Sequence, residues 1–419
     1  MEEWKQYRLI EVLEALIDYR GKTPKKTTSG VPLITAKIIK NGRIETPTEF
    51  ISVDDYDSWM VRGFPKVGDV VLTTEAPLGE VAQLDDANIA LAQRVVTLRG
   101  MSDFLDNTYL KYYFLSNIGK QRLKARETGT TVTGIKQSEL REVLVDVPPY
   151  KVQVGIADVL SSLDDKIEVN RRINDNLEQQ AQALFKSWFV DFEPFRDQPF
   201  VESELGMIPK GWRIYSMDEL VDVIGGYSYK GEELKESQTA MATIKNFERD
   251  GGFKTTGFKE IIPSPKVKPE QFLGKFDIII AHTDLTQNAD IIGNPALLLS
   301  FGNYKKLIMS MDLVKTKPKN DAISFGLLYS IFADTRFKSH ALGYVNGTTV
   351  LHLSKKAIPE YRISLPGNLN ELALYGSIFD SIFRKESEMM DESRRLAQLR
   401  DTLLPRLMSG EIKVGDVTL

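Results

Sequence analysis

The chain has 419 residues, a length that favours two or three domains over a single hydrophobic core. It contains no cysteine, which excludes disulfides, thiolate nucleophiles and cysteine-ligated zinc. The formal net charge of -4 argues against indiscriminate coating of nucleic acid but leaves room for a local basic surface. No apolar run approaches the roughly 20 residues that span a bilayer, and the first residues lack the positive charge of a signal peptide. We therefore predict a cytoplasmic location.

An internal repeat organises the chain. Identical residues recur at an offset of 208, in the pairs Trp4 and Trp212, Tyr19 and Tyr227, Lys22 and Lys230, Thr35 and Thr243, Lys37 and Lys245, and Asp69 and Asp277. The string Gly129-Thr130-Thr131-Val132 returns as Gly347-Thr348-Thr349-Val350 at an offset of 218. The second copy has therefore gained ten residues between these anchors, which we expect in surface loops.

Each copy has the same order of elements. A β-rich apolar run comes first, at residues 69–72 and 277–280. A stretch with apolar residues at helical spacing follows, carried by Leu110, Tyr113 and Phe114 and then by Leu327, Ile331 and Phe332. The Gly-Thr-Thr string and a short strand that ends at proline complete the copy. The pattern predicts two α/β globules, at residues 1–150 and 212–367.

A long helical pattern follows each globule, at residues 151–193 and 368–410. The predicted seam of the first helix consists of Ile156, Leu160, Leu163, Ile167, Asn170, Asn174, Leu177, Ala181, Leu184 and Trp188. The predicted seam of the second helix consists of Ile378, Ile382, Met389, Leu396, Leu399 and Leu403. The two helices are each other's simplest partners, as an antiparallel coiled coil. The two asparagines either fix its register or mark where the helices splay or meet a partner.

Prolines and glycines at residues 194–211 indicate a linker between the first helix and the second globule, and residues 411–419 form a C-terminal tail.

Each string that resembles a catalytic motif lacks a residue that the motif requires. The string Asp146-Val147-Pro148-Pro149-Tyr150 has valine where an amino-methyltransferase needs a side-chain oxygen, so we interpret it as a strand end. The glycines of 226–231 and 252–257 lack the lysine and hydroxyl residue of a phosphate-binding loop. Asp222, Glu233 and Lys235 have only the residue types of a nuclease metal site, and the histidines lack metal-ligand spacing. We predict no catalytic residue and no metal.

Two longer strings complete the pattern. They are Glu202-Ser203-Glu204-Leu205-Gly206 followed by Ile208-Pro209-Lys210-Gly211-Trp212, and Leu403-Leu404-Pro405-Arg406-Leu407-Met408-Ser409-Gly410-Glu411-Ile412. With these strings and its duplicated layout, nearly the whole chain resembles the specificity subunits of type I restriction-modification systems.

The resemblance implies a fold and a set of partners. Two α/β target-recognition domains would lie in a pseudo-twofold tandem repeat, separated by a pair of long antiparallel coiled-coil helices. Each domain would recognise one half of a split double-stranded DNA target, and the helices would set the gap and bind two methyltransferase subunits. These would hold S-adenosylmethionine and methylate adenine, while restriction subunits would act as translocase and nuclease with ATP and Mg²⁺. The chain itself would hold no cofactor.

Candidate DNA contacts come from physical inference, because recognition needs hydrogen-bonding groups at base edges and cations at phosphates. In the first copy they are Tyr19, Arg20, Lys22, Lys25, Lys26, Lys37, Thr73, Thr74, Gln93, Arg94, Thr130, Thr131 and Lys136. In the second copy they are Tyr227, Tyr229, Lys230, Lys245, Asn246, His282, Thr283, Thr348 and Thr349. Each is alternatively an ordinary surface or turn residue. The rival functions are a stand-alone DNA endonuclease and a coiled-coil adaptor without DNA function.

Overall fold

The computed structural model describes residues 4–21, 23–129, 133–249, 251–286 and 288–417. They form two compact units. Unit 1 comprises residues 4–167 and 395–417, and unit 2 comprises residues 168–394. Because the division falls inside both long helices, each unit contains one globule and a part of each helix. No helix in the described ranges is both long and apolar enough to cross a membrane.

Unit 1 is an α/β globule with short strands. Its strands are β1 (Lys5–Arg8), β2 (Leu13–Asp18), β3 (Lys26–Thr27), β4 (Val31–Ile34), β5 (Ile39–Lys40), β6 (Arg43–Ile44), β7 (Phe50–Ile51), β8 (Val70–Thr74), β9 (Leu78–Gln83), β10 (Ala90–Leu91), β11 (Val95–Gly100) and β12 (Leu144–Val147). Its helices are α1 (Tyr56–Trp59), α2 (Asn107–Leu115), α3 (Asn117–Lys124), α4 (Gln137–Arg141) and the first part of α5 (Tyr150–Phe189).

The core of unit 1 lies on both faces of an antiparallel sheet with the order β2-β11-β8-β9. Successive side chains of β8 point to opposite faces of the sheet, as in any β-strand. Val70 and Leu72 pack with the aromatic residues of α2, whereas Val71 packs towards a second sheet of order β10-β4-β7-β3. In that sheet β10 pairs parallel with β4.

Unit 2 repeats these elements. Its strands are β13 (Phe200–Ser203), β14 (Gly206–Pro209), β15 (Trp212–Ser216), β16 (Val221–Gly225), β17 (Thr239–Ala242), β18 (Lys259–Glu260), β19 (Phe272–Leu273), β20 (Ile278–Ala281), β21 (Thr283–Asp284), β22 (Pro295–Leu297), β23 (Lys306–Met309), β24 (Leu313–Pro318), β25 (Val345–Asn346), β26 (Leu351–Leu353) and β27 (Arg362–Pro366). Its helices are α6 (Met217–Leu220), α7 (Phe325–Ala333), α8 (Thr335–Leu342) and most of α9 (Leu372–Met408).

The antiparallel sheet of unit 2 has the same topology as that of unit 1, whereas the second sheets differ at their edges, where β3 pairs with β7 in unit 1 and β19 pairs with β23 in unit 2. The antiparallel sheet has the order β16-β24-β20-β22, and the second sheet again contains one parallel pair, β17 with β23. Thr73 lies opposite Val95 in unit 1, and Ala281 lies opposite Leu313 in unit 2. These partners differ by the offsets 208 and 218 found in the sequence. The predicted duplication of an α/β globule is confirmed.

The long helices pack antiparallel within each unit. In unit 2 the ring of Trp188 contacts Tyr375 at 5.3 Å between centroids, and Asn170 of the same helix donates to Glu392 at 2.7 Å. In unit 1 the Arg400 guanidinium lies 2.6 Å from the Asp164 carboxylate. Asn170 is fully buried and bonded across the helix pair, which favours its role in fixing register.

The predicted seam of the second helix is wrong at two positions. Ile378 and Leu399 are 36% and 40% exposed. Next to Ile378, Phe379 is buried instead, because its larger aromatic side chain occupies the space against Phe185 of α5. Because a helix has 3.6 residues per turn, either of two adjacent positions can match a heptad pattern, and spacing alone does not show which one is buried.

The observed ranges of α5 and α9 lie within a few residues of the predicted 151–193 and 368–410. The predicted linker contains an antiparallel hairpin of β13 and β14. Since the compact units divide inside the helices, the six-part division of the chain stays a prediction.

Candidate nucleic-acid interface

Loops of unit 1 converge at one end of its antiparallel sheet. Strand β11 runs opposite to both β2 and β8, so the ends of β2 and β8 lie beside its start. We call the residues gathered there loop cluster 1, namely 19–21, 23–25, 74–77, 92–94 and 133–136. Thr74 is at its centre. Its backbone N–H donates to the carbonyl of Arg94 at 3.0 Å, and its carbonyl accepts from the N–H of Ile135 at 2.9 Å.

Unit 2 builds the same arrangement at the equivalent end of its sheet. Loop cluster 2 consists of residues 226–230, 282–285, 310–312 and 346–352. The N–H of His282 donates to the carbonyl of Asp312 at 2.8 Å, and its carbonyl accepts from the N–H of Leu353 at 2.9 Å. Each partner is related to its counterpart in loop cluster 1 by an offset of 208 or 218. The two clusters therefore share their central hydrogen bonds.

A backbone pairing brackets the Gly-Thr-Thr string of each unit. Thr128 pairs with Gly134 in unit 1, and Asn346 pairs with His352 in unit 2. The glycines that open the strings, Gly129 and Gly347, have φ angles of 106° and 105°, in the region that favours glycine. A Cβ at Gly347 would lie 2.2 Å from the carbonyl oxygen of Val350, which explains why this turn requires glycine.

The second sheet brings one predicted lysine to each cluster. The N–H of Ala92 donates to Ile34 at the end of β4, at 3.0 Å, and the N–H of Ser310 donates to Ala242 at the end of β17, at 2.9 Å. Lys37 follows β4 and Lys245 follows β17, and both are exposed. The parallel strand pairs thus place a cation near the same loops in both units.

Many sequence-predicted residues reach the surface of these loops. In unit 1 the exposed or partly exposed ones are Arg20, Lys25, Lys26, Lys37, Gln93, Arg94 and Lys136. In unit 2 they are Tyr229, Lys230, Lys245, His282, Thr348 and Thr349. Lys22, Thr130 and Thr131 lie outside the described residues.

Other predicted residues are buried: Tyr19, Thr73, Thr74, Tyr227, Asn246 and Thr283. Several bond to the protein itself. The Tyr19 hydroxyl donates to the carbonyl of Gly63 at 2.8 Å, and the Thr73 hydroxyl donates to that of Pro77 at 2.6 Å. The Tyr227 hydroxyl donates to Glu233 at 2.7 Å, and the Asn246 amide donates to Lys254 and Thr256. These groups hold the loops in shape, and direct DNA contact by them stays a prediction.

Ion pairs restrain part of loop cluster 1. Arg94 lies 2.8 Å from Glu75, while Arg20 pairs with Asp18 at 2.5 Å and also donates to the carbonyl of Ile135. The Thr23 hydroxyl donates to the side chain of Gln93 at 3.0 Å, which joins two of the loops. Among the described residues, no ion-pair partner lies at Lys25, Lys37 or Lys136. These three lysines are therefore the cations free to contact an anion.

Histidines dominate the equivalent part of loop cluster 2. Burial lowers the pKa of His282, and the nearby His352 and Lys355 lower it further, so the imidazole is neutral at physiological pH. A neutral imidazole offers one donor and one acceptor. The exposed His352 has its Nδ1 at 3.4 Å from the hydroxyl of Thr283. Sequence reasoning left His352 out of the site, because its equivalent in unit 1, Gly134, has no side chain to suggest a contact.

Residues behind loop cluster 2 fix its shape. The Asp284 carboxylate is fully buried and accepts from the backbone N–H groups of Thr286, Ile291 and Ile292, at 2.7, 2.6 and 3.0 Å. Burial opposes its charge, but these bonds outweigh burial and the pKa of Asp284 is lowered. The Lys338 ammonium donates to the carbonyls of Ala289, Asp290 and Ile292 in the same loop.

The two acids weighed for a nuclease site have structural partners. Asp222 lies 3.8 Å from Lys319, and Glu233 accepts from the N–H groups of Lys230 and Ser264. In the described parts of the chain, no group of three or more His, Cys, Asp or Glu residues is positioned to hold a metal ion.

Known proteins with related sequences include specificity domains and subunits of type I restriction enzymes. Residues 1–179 match the type I restriction modification DNA specificity domain. The MjaIX type I specificity subunit of Methanocaldococcus jannaschii is 28% identical over 367 residues, covering 85% of this chain and 80% of the relative. The HindI specificity subunit of Haemophilus influenzae is 24% identical over 470 residues, covering 98% and 100%.

A solved structure has the same fold. The type I restriction-modification S subunit from M. genitalium aligns with a TM-score of 0.54 at 19% identity, covering 97% of this chain and 96% of that one. In its duplicated layout and in sequence, the chain is similar to the specificity subunits of type I restriction-modification systems.

Proposed function

We propose that this protein is a non-catalytic subunit that recognises a bipartite double-stranded DNA target and directs adenine methylation and restriction by its partners. The observation that carries the proposal is the pair of loop clusters. They share backbone hydrogen bonds around Thr74 and His282, yet they present different side chains. A duplicated frame with divergent side chains suits two half-sites of different sequence.

The side chains of the clusters fit the two kinds of contact that DNA recognition needs. Lys25, Lys37 and Lys136 are exposed cations for phosphates, which position a protein on the duplex. Gln93 and His282 carry donors and acceptors for base edges, which give sequence specificity. Because these lysines are grouped near the loops, they provide a local positive charge for DNA although the net charge of the chain is -4.

The long helices are the proposed binding surface for two methyltransferase subunits. Apolar side chains remain exposed on them, including Val169 at 48%, Leu374 at 71% and Leu399 at 40%. Exposed apolar side chains on a helix are expected where a partner covers them. S-adenosylmethionine would be held by these subunits, and ATP and Mg²⁺ by restriction subunits in the same assembly.

Mapping of methylated adenines tests this function directly. The host genome is compared with and without this gene, and with a version that carries Lys37→Ala and Lys245→Ala together. We expect one split motif to lose methylation when the gene is removed, and to be methylated less completely in the variant. An unchanged methylation pattern would overturn the proposal. Cleavage of DNA by the purified chain with Mg²⁺, retained through a second purification, would favour the endonuclease instead.

A further inference from the structure

The turn that precedes the central strand differs in character between the two units. In unit 1 it is Ala92-Gln93-Arg94 before β11, and in unit 2 it is Ser310-Met311-Asp312 before β24. Their equivalence follows from backbone hydrogen bonds as well as from sequence. The carbonyl of Arg94 accepts from Thr74, and the carbonyl of Asp312 accepts from His282, at 3.0 and 2.8 Å. A polar and cationic pair in one unit is thus replaced by an apolar and acidic pair in the other.

Met311 is held at the surface by a hydrogen-bonded turn. Its side chain is 59% exposed, although the next strand residue, Leu313, is fully buried. The turn is closed by the N–H of Leu313 donating to the carbonyl of Ser310 at 3.0 Å. Leu285, in the adjoining loop of the same cluster, is 61% exposed. Two large apolar side chains are therefore exposed on loops that meet at His282.

The acidic neighbour restricts what this turn is able to contact. Asp312 takes the place of Arg94, and a carboxylate is repelled by DNA phosphates. Contact with base edges remains, because the major groove presents one apolar group, the C5-methyl of thymine, beside its donors and acceptors. A flexible, polarizable thioether suits such a small apolar target.

We propose that Met311 is a specificity-determining residue that contacts the C5-methyl group of a thymine in the half-site bound by unit 2. The inference rests on the proposed function. It assigns an A·T pair to that half-site and distinguishes it from the half-site of unit 1, where Gln93 has the equivalent position and offers hydrogen bonds.

Replacement of thymine by uracil tests the contact, because it removes only the methyl group and keeps the pattern of donors and acceptors. The full chain with its methyltransferase subunits first selects its target from random DNA. Each thymine of the target is then replaced singly by uracil, and the dissociation constants are measured. We expect one thymine in one half-site to lose roughly fourfold in affinity, which corresponds to about 0.8 kcal/mol for one buried methyl group.

Variants assign that loss to a residue. Met311→Ala should bind the thymine target more weakly and should no longer distinguish uracil at that position. Met207→Ala is the matched control, because Met207 is 55% exposed on the β13-β14 hairpin and lies outside loop cluster 2. It should retain the fourfold difference. Met311→Gln, which installs the residue of unit 1, should change the base preferred at that position alone.

The outcomes separate the inference from the function on which it rests. Sequence-specific binding without any uracil effect, or a uracil effect that persists in Met311→Ala, would overturn the role of Met311 and leave the proposed function standing. Absence of sequence-specific binding by the whole assembly would overturn the proposed function itself.

Discussion

Loop clusters 1 and 2 share their central backbone hydrogen bonds but differ in the chemistry of their side chains. In loop cluster 1, Arg20 and Arg94 are paired with acids, while Lys25 and Lys136 remain available. In loop cluster 2, histidines and exposed apolar side chains take the corresponding surface. Strand register and backbone hydrogen bonds fix where the loops meet, whereas the loop side chains are free to diverge. A duplicated protein can in this way keep one fold and recognise two sequences.

The helix pair differs between the units as well, and this difference predicts the largest effect. In unit 1 Asp164 is paired with Arg400, but in unit 2 Glu386 has Glu178 and Asp175 nearby. Burial, followed by these two acids, raises the pKa of Glu386 to about 8 from a usual 4.5. The folded state keeps the proton that the unfolded chain releases. Stability should therefore fall as the pH rises from 4.5 to about 8.

Glu386→Gln should remove this loss. We expect the free energy of unfolding to increase by roughly 3 kcal/mol above pH 8, less than the full shift because solvent screens part of it. Denaturant unfolding measured across the pH range checks the prediction, and the gain should vanish below pH 4.5. Glu388→Gln on the exposed face of the same helix is the control. An equal gain at every pH would contradict the assignment to ionisation.

Asp284 gives a way to damage one cluster and spare the other. Asp284→Ala leaves three N–H groups, one of them buried and two partly buried, without their acceptor, which should cost roughly 2 kcal/mol of stability. Selection of binding sites should then show a degraded half-site for unit 2 beside an intact half-site for unit 1. The exposed Asp321 provides the control as Asp321→Ala. Equal damage to both half-sites would show that the clusters do not act separately.

The sequence predicted the frame of the protein better than its surface. The repeated offset of 208 makes Thr74 and His282 equivalent, and their backbone hydrogen bonds agree, because residues at strand ends keep their register when a domain is duplicated. They did not show that Tyr19 and Thr73 are buried, since burial depends on which carbonyl lies opposite each hydroxyl. The seam of α9 was misassigned at Ile378 for a similar reason: aromatic bulk, rather than spacing, selects the buried row.

The equivalent lysines Lys37 and Lys245 predict a smaller, symmetric effect. Each is exposed near its cluster, and each alanine variant should remove about one phosphate contact. The slope of log affinity against log salt should become less steep by about 0.9 in both cases, with the preferred bases unchanged. Filter binding or fluorescence anisotropy over a salt series measures it. Lys306→Ala is the control, because Lys306 lies at the opposite end of β23, and it should leave the slope unchanged. A change of base preference in Lys37→Ala or Lys245→Ala would indicate a base contact instead of a phosphate contact.

The smallest predicted effect concerns protonation of His282. Burial, with His352 and Lys355 nearby, lowers its pKa below the usual 6.5, so the ring should be neutral at pH 6.5 and above. At a pH below the lowered pKa, protonation removes the acceptor of the ring and adds a positive charge. The penalty for a mismatched base opposite unit 2 should then shrink, by less than the roughly 1–3 kcal/mol that a whole base-pair contact supplies. His282→Gln should make the penalty independent of pH, whereas His352→Gln should not.

All three histidines of the chain lie in unit 2, so the mismatch penalty in the half-site of unit 1 serves as an internal reference. If the penalties in both half-sites changed together with pH, the cause would lie in the DNA or in the partners rather than in His282.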